Sequence, residues 1–136
     1  RLQSISIQRQ LAANLLPVSA DPGQLKQAFL NLVLNAQDAM SQGGTLSVAT
    51  KNSHNREMIV KISDTGVGIP KESFSQIFEP FYTTKKAGGV GLGLSVVYGI
   101  IRDHKGIIKV DSVVGQGTTF TIRLPAYKPE GERAAP

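Results

Sequence analysis

No cysteine and no tryptophan occur among the 136 residues, and aromatic rings come only from three tyrosines and five phenylalanines. The missing thiols exclude disulfides and thiolate metal sites, and they fit a reducing compartment. Long hydrophobic runs are absent too: none approaches the roughly 20 residues that cross a bilayer, and no signal-peptide pattern opens the chain. A soluble, cytoplasmic segment is therefore expected, whether or not its parent is anchored in a membrane. The chain opens on Arg1 and not on methionine, so it is read as a piece of a longer protein.

Charge of one sign is present in excess but not concentrated. Fifteen Lys and Arg against ten Asp and Glu leave a net charge of +5, and Lys85-Lys86 is the one adjacent basic pair. A surface that tracks phosphates wants a basic stripe with stacking aromatics, so neither nucleic acid nor membrane contact is expected of this segment. The length suits a single core. We place one domain at residues 1–126, followed by a polar tail, "YKPEGERAAP", of disordered composition.

Residues 3–20 alternate loosely and predict two short strands with a turn near Ala13-Asn14. Asp21-Pro22 then has the signature of a helix start, with Gln24 three residues after the cap, and the helix is expected to run to about Ser41 and stop at Gly43-Gly44. "TLSVAT" (45–50) and "REMIVKISD" (56–64) follow as strands. A long Gly, Pro and Thr-bearing connection with one helical turn near Lys71 to Gln76 comes next, of a length that in a compact domain is functional or mobile. An apolar helix over 92–104 and a terminal hairpin around Val114 to Gly117 complete the pattern. This layout predicts a mixed sheet covered by helices on one face.

On a helical wheel with Asn31 at zero, Asn35 falls at about +40° and Asp38 at about −20°; Gln24, Gln27 and Gln42 lie within about 40° of Asn31. Ala28 and Leu34 flank this polar stripe, while Phe29, Leu32, Val33, Ala36, Ala39 and Met40 spread over the other side. Unpaired buried amides cost roughly 1 to 3 kcal/mol, so the stripe needs partners. An amide ladder to a neighbouring loop would supply them, and so would a polar ligand or a hard cation such as magnesium or calcium.

In "REMIVKISD" the two-residue period puts Met58, Val60 and Ile62 on one face and ends that inward row in Asp64. A carboxylate there must find donors. It can cap its own turn, or it can accept from an exocyclic amino group on a pocket floor beside Gly66 and Gly68. Further on, "GGVGLGLSVVY" (88–98) sets glycines ahead of a helix whose first N–H groups are free for an anion. It has neither the Gly-Lys pair of a Walker loop nor the spacing of a dinucleotide fingerprint, so hinge and phosphate loop both remain open.

Taken in order, "QLKQAFLNLVLNAQDAM", "DTGVGIP", "IFEPFYTTK", "GVGLGLS" and "GQGTTFTIRLP" resemble the N, G1, F and G2 boxes and closing strand of the ATP-binding catalytic domain of sensor histidine kinases. These belong to the superfamily that includes gyrase, MutL and ATP-dependent heat-shock chaperones. The resemblance covers residues 14–125 and implies the two-layer α/β sandwich of the Bergerat fold, with about five strands and about three helices.

It implies ATP and Mg2+ as cofactors, with Asn35 as metal ligand, Asn31 near metal and phosphates, and Lys85 reaching a phosphate. Asp64 would accept from the adenine amino group, with Gly66, Gly68 and Ile69 shaping the pocket and Thr118 in its water network. Phe78 and Phe81 would anchor a lid, and Gly89, Gly91, Leu92, Gly93 and Leu94 would cradle the phosphates. Val90 stands where many relatives carry Thr, and Asp38 where some carry a basic residue. The implied activity is phosphoryl transfer to a histidine on a separate helical domain of a dimeric parent, with a response-regulator receiver domain downstream. Neither His54, in a polar turn, nor His104, at a helix end, is read as that acceptor. The alternatives are an ATPase or serine kinase of the same superfamily, or a regulatory nucleotide-binding module without kinase activity.

Overall fold

The computed structural model describes residues 4–79 and 93–128. In chain order these form β1 (Ile5–Gln10), α1 (Pro22–Ala39), β2 (Gly44–Asn52), β3 (Glu57–Asp64), a 3-10 turn (Lys71–Ser73), α2 (Gly93–Asp103), β4 (Ile107–Val113) and β5 (Gly117–Pro125). One five-stranded sheet has the order β1-β2-β3-β5-β4. Only β1 and β2 run parallel, a pairing that needs a crossover, and α1 is that crossover. The mixed sheet and its strand number are as expected; the helical layer among the described residues consists of α1, α2 and the 3-10 turn.

Register explains the core. Val48, Ile62, Phe120 and Val110 stand side by side across four strands, and Thr50, Val60, Ile122 and Ile108 form the next row. These rows meet Ala28, Leu32 and Ala36 of α1 and Val97, Ile100 and Ile101 of α2. Each large side chain so buried contributes roughly 1.5 to 3 kcal/mol of transfer free energy. On the opposite face Lys51, Lys61 and Lys109 point to solvent. Ile59 alone is buried there, at 4% exposure, in register between Lys51 and Arg123, whose aliphatic stems can cover it. No described helix is long and apolar enough to cross a membrane.

Residues 3–20 depart from the expected pair of strands. One strand forms, and past Gln10 the backbone is satisfied by side chains of β2 and not by a ladder. Ala12 N–H donates to Thr50 Oγ1 (2.9 Å) and Leu16 N–H to Asn52 Oδ1 (2.8 Å), while Asn52 Nδ2 returns a bond to Asn14 O (2.8 Å). Thr50 and Asn52 thus take the donors and acceptor that a second strand would have used. Beyond β5, Tyr127 N–H donates to Pro17 O at 2.6 Å. Residues 129–136, the greater part of the expected tail, lie outside the described residues.

Asp21 caps α1 as anticipated, its Oδ1 accepting from Gln24 N–H at 3.1 Å, with Pro22 in the first turn. The helix ends at Ala39, two residues short of the expected stop, and Gly43 N–H closes onto Met40 O at 2.8 Å. At the end of α2, Lys105 N–H bonds Arg102 O and Gly106 N–H bonds Ile101 O, both at 2.9 Å, the two closures of a Schellman motif. The left-handed position of that motif is held by Lys105 at φ 62°, where glycine is the usual occupant.

Lys105→Gly is therefore expected to raise stability by up to about 1 kcal/mol, read as a melting temperature several degrees higher. An unchanged or lowered melting temperature would show that the lysine side chain compensates for its backbone.

Candidate functional site

β3 delivers Asp64 to the edge of the core with 7% of its surface exposed. Burial pushes its carboxyl above the ordinary value of 3.8, and backbone N–H donors from Gly66 and Thr118 oppose that rise. The Gly66 bond is 2.8 Å. Asp64 thus does cap its own turn, but a carboxylate has about four acceptor positions and the turn uses one of them.

The loop after Asp64 is held on two sides. Val67 N–H donates to Ala39 O at the end of α1 (3.1 Å), and Gly115 N–H of the β4–β5 turn donates to Val67 O (2.8 Å). A Cβ at Gly66 would collide with the Ala39 carbonyl. One at Gly68, whose φ of 80° already disfavours other residues, would collide with the Val113 carbonyl. The close approach expected at these glycines is thus realised by the protein's own backbone, which seats the loop between helix and hairpin. Ile69 is half-buried against the core.

Thr118 lies opposite Asp64 in the β3–β5 register and is 4% exposed, on the inward row of Phe120, Ile122 and Leu124 as its strand parity predicts. Its hydroxyl meets Ser112 Oγ at 2.8 Å; Ser112 Oγ also accepts from Ile69 N–H (2.7 Å) and lies 2.8 Å from Gly117 O. Sequence reasoning missed Ser112. The signal was available, because Ser112 ends the inward row Ile108, Val110 as Asp64 ends its own.

The polar stripe of α1 divides in two. Gln24, Gln27, Asp38 and Gln42 are exposed, whereas Asn31 and Asn35 are half-buried. Asn31 Nδ2 reaches the carbonyl of Gly93, the first residue of α2, at 3.4 Å. No hydrogen bond to the Asn35 side chain is present among the described residues, so its amide is free to ligate. Asn35 stands one helical turn before Ala39 and hence beside the Asp64 loop. The expected enclosure by apolar flanks is one-sided: Ala28 is fully buried, but Leu34 is 46% exposed because it lies beyond the edge of the described layer.

Gly93 is exposed and Leu94 packs against the core. Phe78 sits edge-on to Phe120 (6.3 Å) and tilted on Tyr98 (5.5 Å), which anchors the start of the long connection to both sheet and α2. Phe81, Lys85, Gly89, Val90, Gly91 and Leu92 lie outside the described residues.

No group of three or more His, Asp or Glu that could hold an ion occurs among the described residues. A cation bound wholly by these side chains is thereby excluded, while an amide oxygen that shares a hard cation with phosphates and water fits Asn35.

The family model "Histidine kinase-, DNA gyrase B-, and HSP90-like ATPase" matches residues 20–128. The sensor histidine kinase ZraS of Salmonella typhimurium is 47% identical over 125 residues, which cover 90% of this chain and 27% of that protein. The mycobacterial sensor histidine kinase MprB superposes with a TM-score of 0.80 at 28% identity over 90% of this chain and 84% of its own. Full-length ShkA in complex with AMPPNP superposes with a TM-score of 0.77 at 28% identity over 96% of this chain and 27% of its own. The chain spans between 13% and 27% of the length of the curated relatives it matches.

Asp64→Asn gives the first test of this geometry. A carboxyl raised above its ordinary value stabilises the fold fully below that value and progressively less as pH climbs through the raised one. The asparagine variant should lose this pH slope and, without nucleotide, melt at or above the parent at neutral pH. A variant that melts lower at neutral pH would show that the carboxylate is net stabilising.

Proposed function

The chain belongs to the histidine kinase-, DNA gyrase B- and HSP90-like ATPase family, and from that premise we propose that it binds magnesium–ATP and presents the γ-phosphate to a histidine on a separate helical domain of its parent. The observation that carries this reading is the half-buried Asn35 amide, without a hydrogen-bond partner among the described residues, one helical turn from the loop of a buried carboxylate. The pair supplies a hard oxygen for a shared cation and an acceptor for an amino group, which are what magnesium and adenine require. The full-length ShkA structure that is similar over 96% of this chain is a complex with AMPPNP, which supports nucleotide as the ligand class.

In this reading Asn35 Oδ1 ligates magnesium, and Asn31 lies at the metal and phosphates. Asp64 accepts from the adenine amino group, Thr118 and Ser112 order that end of the pocket, and Gly66, Gly68 and Ile69 shape its wall. Phe81, Lys85, Gly89, Gly91, Leu92, Gly93 and Leu94 complete the lid and phosphate cradle. Magnesium, when bound, neutralises phosphate charge, and the protein contributes position and electrostatics, since phosphoryl transfer asks little covalent chemistry of side chains.

An amide at position 31 is no general base, which suits transfer to a nucleophile supplied from outside over hydrolysis. Such a nucleophile is not found in the described residues: His104 has both ring nitrogens engaged, at Ile100 O (2.8 Å) and Asp21 N (3.0 Å), and His54 sits in an exposed turn away from the sheet's inward rows. The acceptor histidine, a dimeric parent and a downstream receiver domain are the partners this function requires.

Asn35→Ala is expected to abolish magnesium-dependent ATP binding in calorimetry while far-UV circular dichroism stays unchanged; parent-like affinity would remove Asn35 from the role. Asp64→Asn is expected to narrow the preference for ATP over GTP, because an amide can donate as well as accept. An unaltered preference would take adenine recognition away from Asp64.

A further inference from the structure

Two hydrogen bonds among the described residues tie the α1 segment to the α2 segment. In one, Asn31 Nδ2 donates to Gly93 O; in the other, the backbone N–H of Asp21 donates to His104 Nε2 at 3.0 Å. Along α1 and its cap, Asp21 and Asn31 are ten residues apart, and along α2 and its end, Gly93 and His104 are eleven apart, about 15 and 16.5 Å of helix. The helices therefore lie antiparallel with their axial positions matched at both ends.

The chemistry of the second pin is fully determined. A backbone N–H only donates, so Nε2 must be a bare acceptor. The other nitrogen, Nδ1, lies 2.8 Å from Ile100 O, which only accepts, so Nδ1 must hold the proton. The ring is thus neutral and in a single tautomer. It also supplies what the sequence seemed to assign to Gln24: in a capping box that side chain would return to the Asp21 N–H, but here the N–H is taken from 83 residues away.

We infer that His104 is a positioning residue: its neutral imidazole holds α1 in register on α2, and so keeps Asn31 and Asn35 aligned with the start of α2, and its protonation releases that register. The inference rests on the nucleotide reading for its effect on affinity, but the latch itself does not. Protonation turns Nε2 into a donor facing a donor, so the Asp21 bond is lost while the Ile100 bond survives. A slip of one residue moves α1 by 1.5 Å, enough to displace a phosphate-holding group.

Other charged or titratable groups on the segments that meet here are Asp21, whose carboxylate is engaged with Gln24 N–H; Arg102 and Asp103, paired with each other at 3.8 Å; Lys105 on the turn; and Tyr127 and Lys128, on the segment bonded to Pro17. Among the described residues none of them forms an ion pair with His104.

The test uses the parent, His104→Gln and His104→Ala. Glutamine places an uncharged acceptor, Oε1, near the position of Nε2. Ring 15N spectra of the parent should show the Nδ1–H tautomer, and the Asn31 and Asn35 side-chain amide signals should shift together with protonation of the ring over an acid titration begun at pH 8. Magnesium–ATP affinity should fall about three- to tenfold over that titration beyond any fall seen in His104→Gln, which should match the parent at pH 8. His104→Ala should be weakened at every pH by a similar factor.

An Nε2–H tautomer, asparagine signals indifferent to the His104 titration, or an equal pH dependence in His104→Gln would overturn the inference. If the parent fails to bind magnesium–ATP at all, the nucleotide reading falls, and the asparagine signals still decide the latch.

Discussion

A carboxylate at the end of an inward-facing row is the costliest choice in this fold, and its surroundings are organised around Asp64. Desolvation raises its pKa, and the donors that limit the rise are backbone N–H groups from the next turn and from the neighbouring strand. For those groups to arrive, the chain after Asp64 must turn tightly against the end of α1 and the β4–β5 turn, which is why glycines stand at 66 and 68. Thr118 and Ser112 then close the polar end of an otherwise apolar layer. The hydroxyls satisfy each other and the Ile69 N–H, so the polarity is confined to one edge and the rows behind it remain hydrocarbon.

That edge is also where the two helices can act together. α1 contributes Asn31 and Asn35 from its middle, and α2 contributes its first residue. The sheet holds both helices by close packing of Ala28, Leu32, Ala36, Val97 and Ile101, and directional hydrogen bonds add to that restraint. The pins at Gly93 and His104 supply direction. The helices thus have two kinds of restraint: broad burial, which sets stability, and two narrow polar contacts, which set register.

Local and periodic features were legible from sequence. Strand parity placed Asp64 on the inward face, and Asp21-Pro22 announced the start of α1, because each depends on neighbours within a turn or a two-residue repeat. Three features were not legible, for a common reason. The second strand expected within residues 3–20, after a turn near Ala13-Asn14, was displaced by side chains of Thr50 and Asn52, 36 to 38 residues distant. Leu34 was read as a wall of the polar stripe, but a wheel cannot say where a neighbouring layer stops. The N–H of Asp21 was claimed by a histidine at the far end of the chain. In each case what decided the outcome, a competing partner or the extent of a neighbouring layer, was remote in sequence, and local pattern had no access to it. Ser112 is different: the parity argument that found Asp64 would have found it.

His104 and Asp64, the first half-buried and the second buried, represent opposite uses of a titratable group. Asp64 is held where its charged form is strained, so an external donor that satisfied it would recover part of the desolvation cost, and that is how a fold can favour ligand without extra contacts. His104 is held where its neutral form is satisfied by partners that cannot exchange donor and acceptor roles. The first group makes the site receptive and the second keeps it aligned. They lie toward opposite ends of α1, a rigid helix that can carry the effect of one to the other, as can β4, which runs from Ile107 to Val113 and sets Ser112 against Thr118 opposite Asp64. A polar stripe of α1 that is exposed at Gln24 and Gln27 and half-buried at Asn31 and Asn35 is what such a helix should show: restraint by one hydrogen bond at its start, and ligand-ready amides where it passes the site.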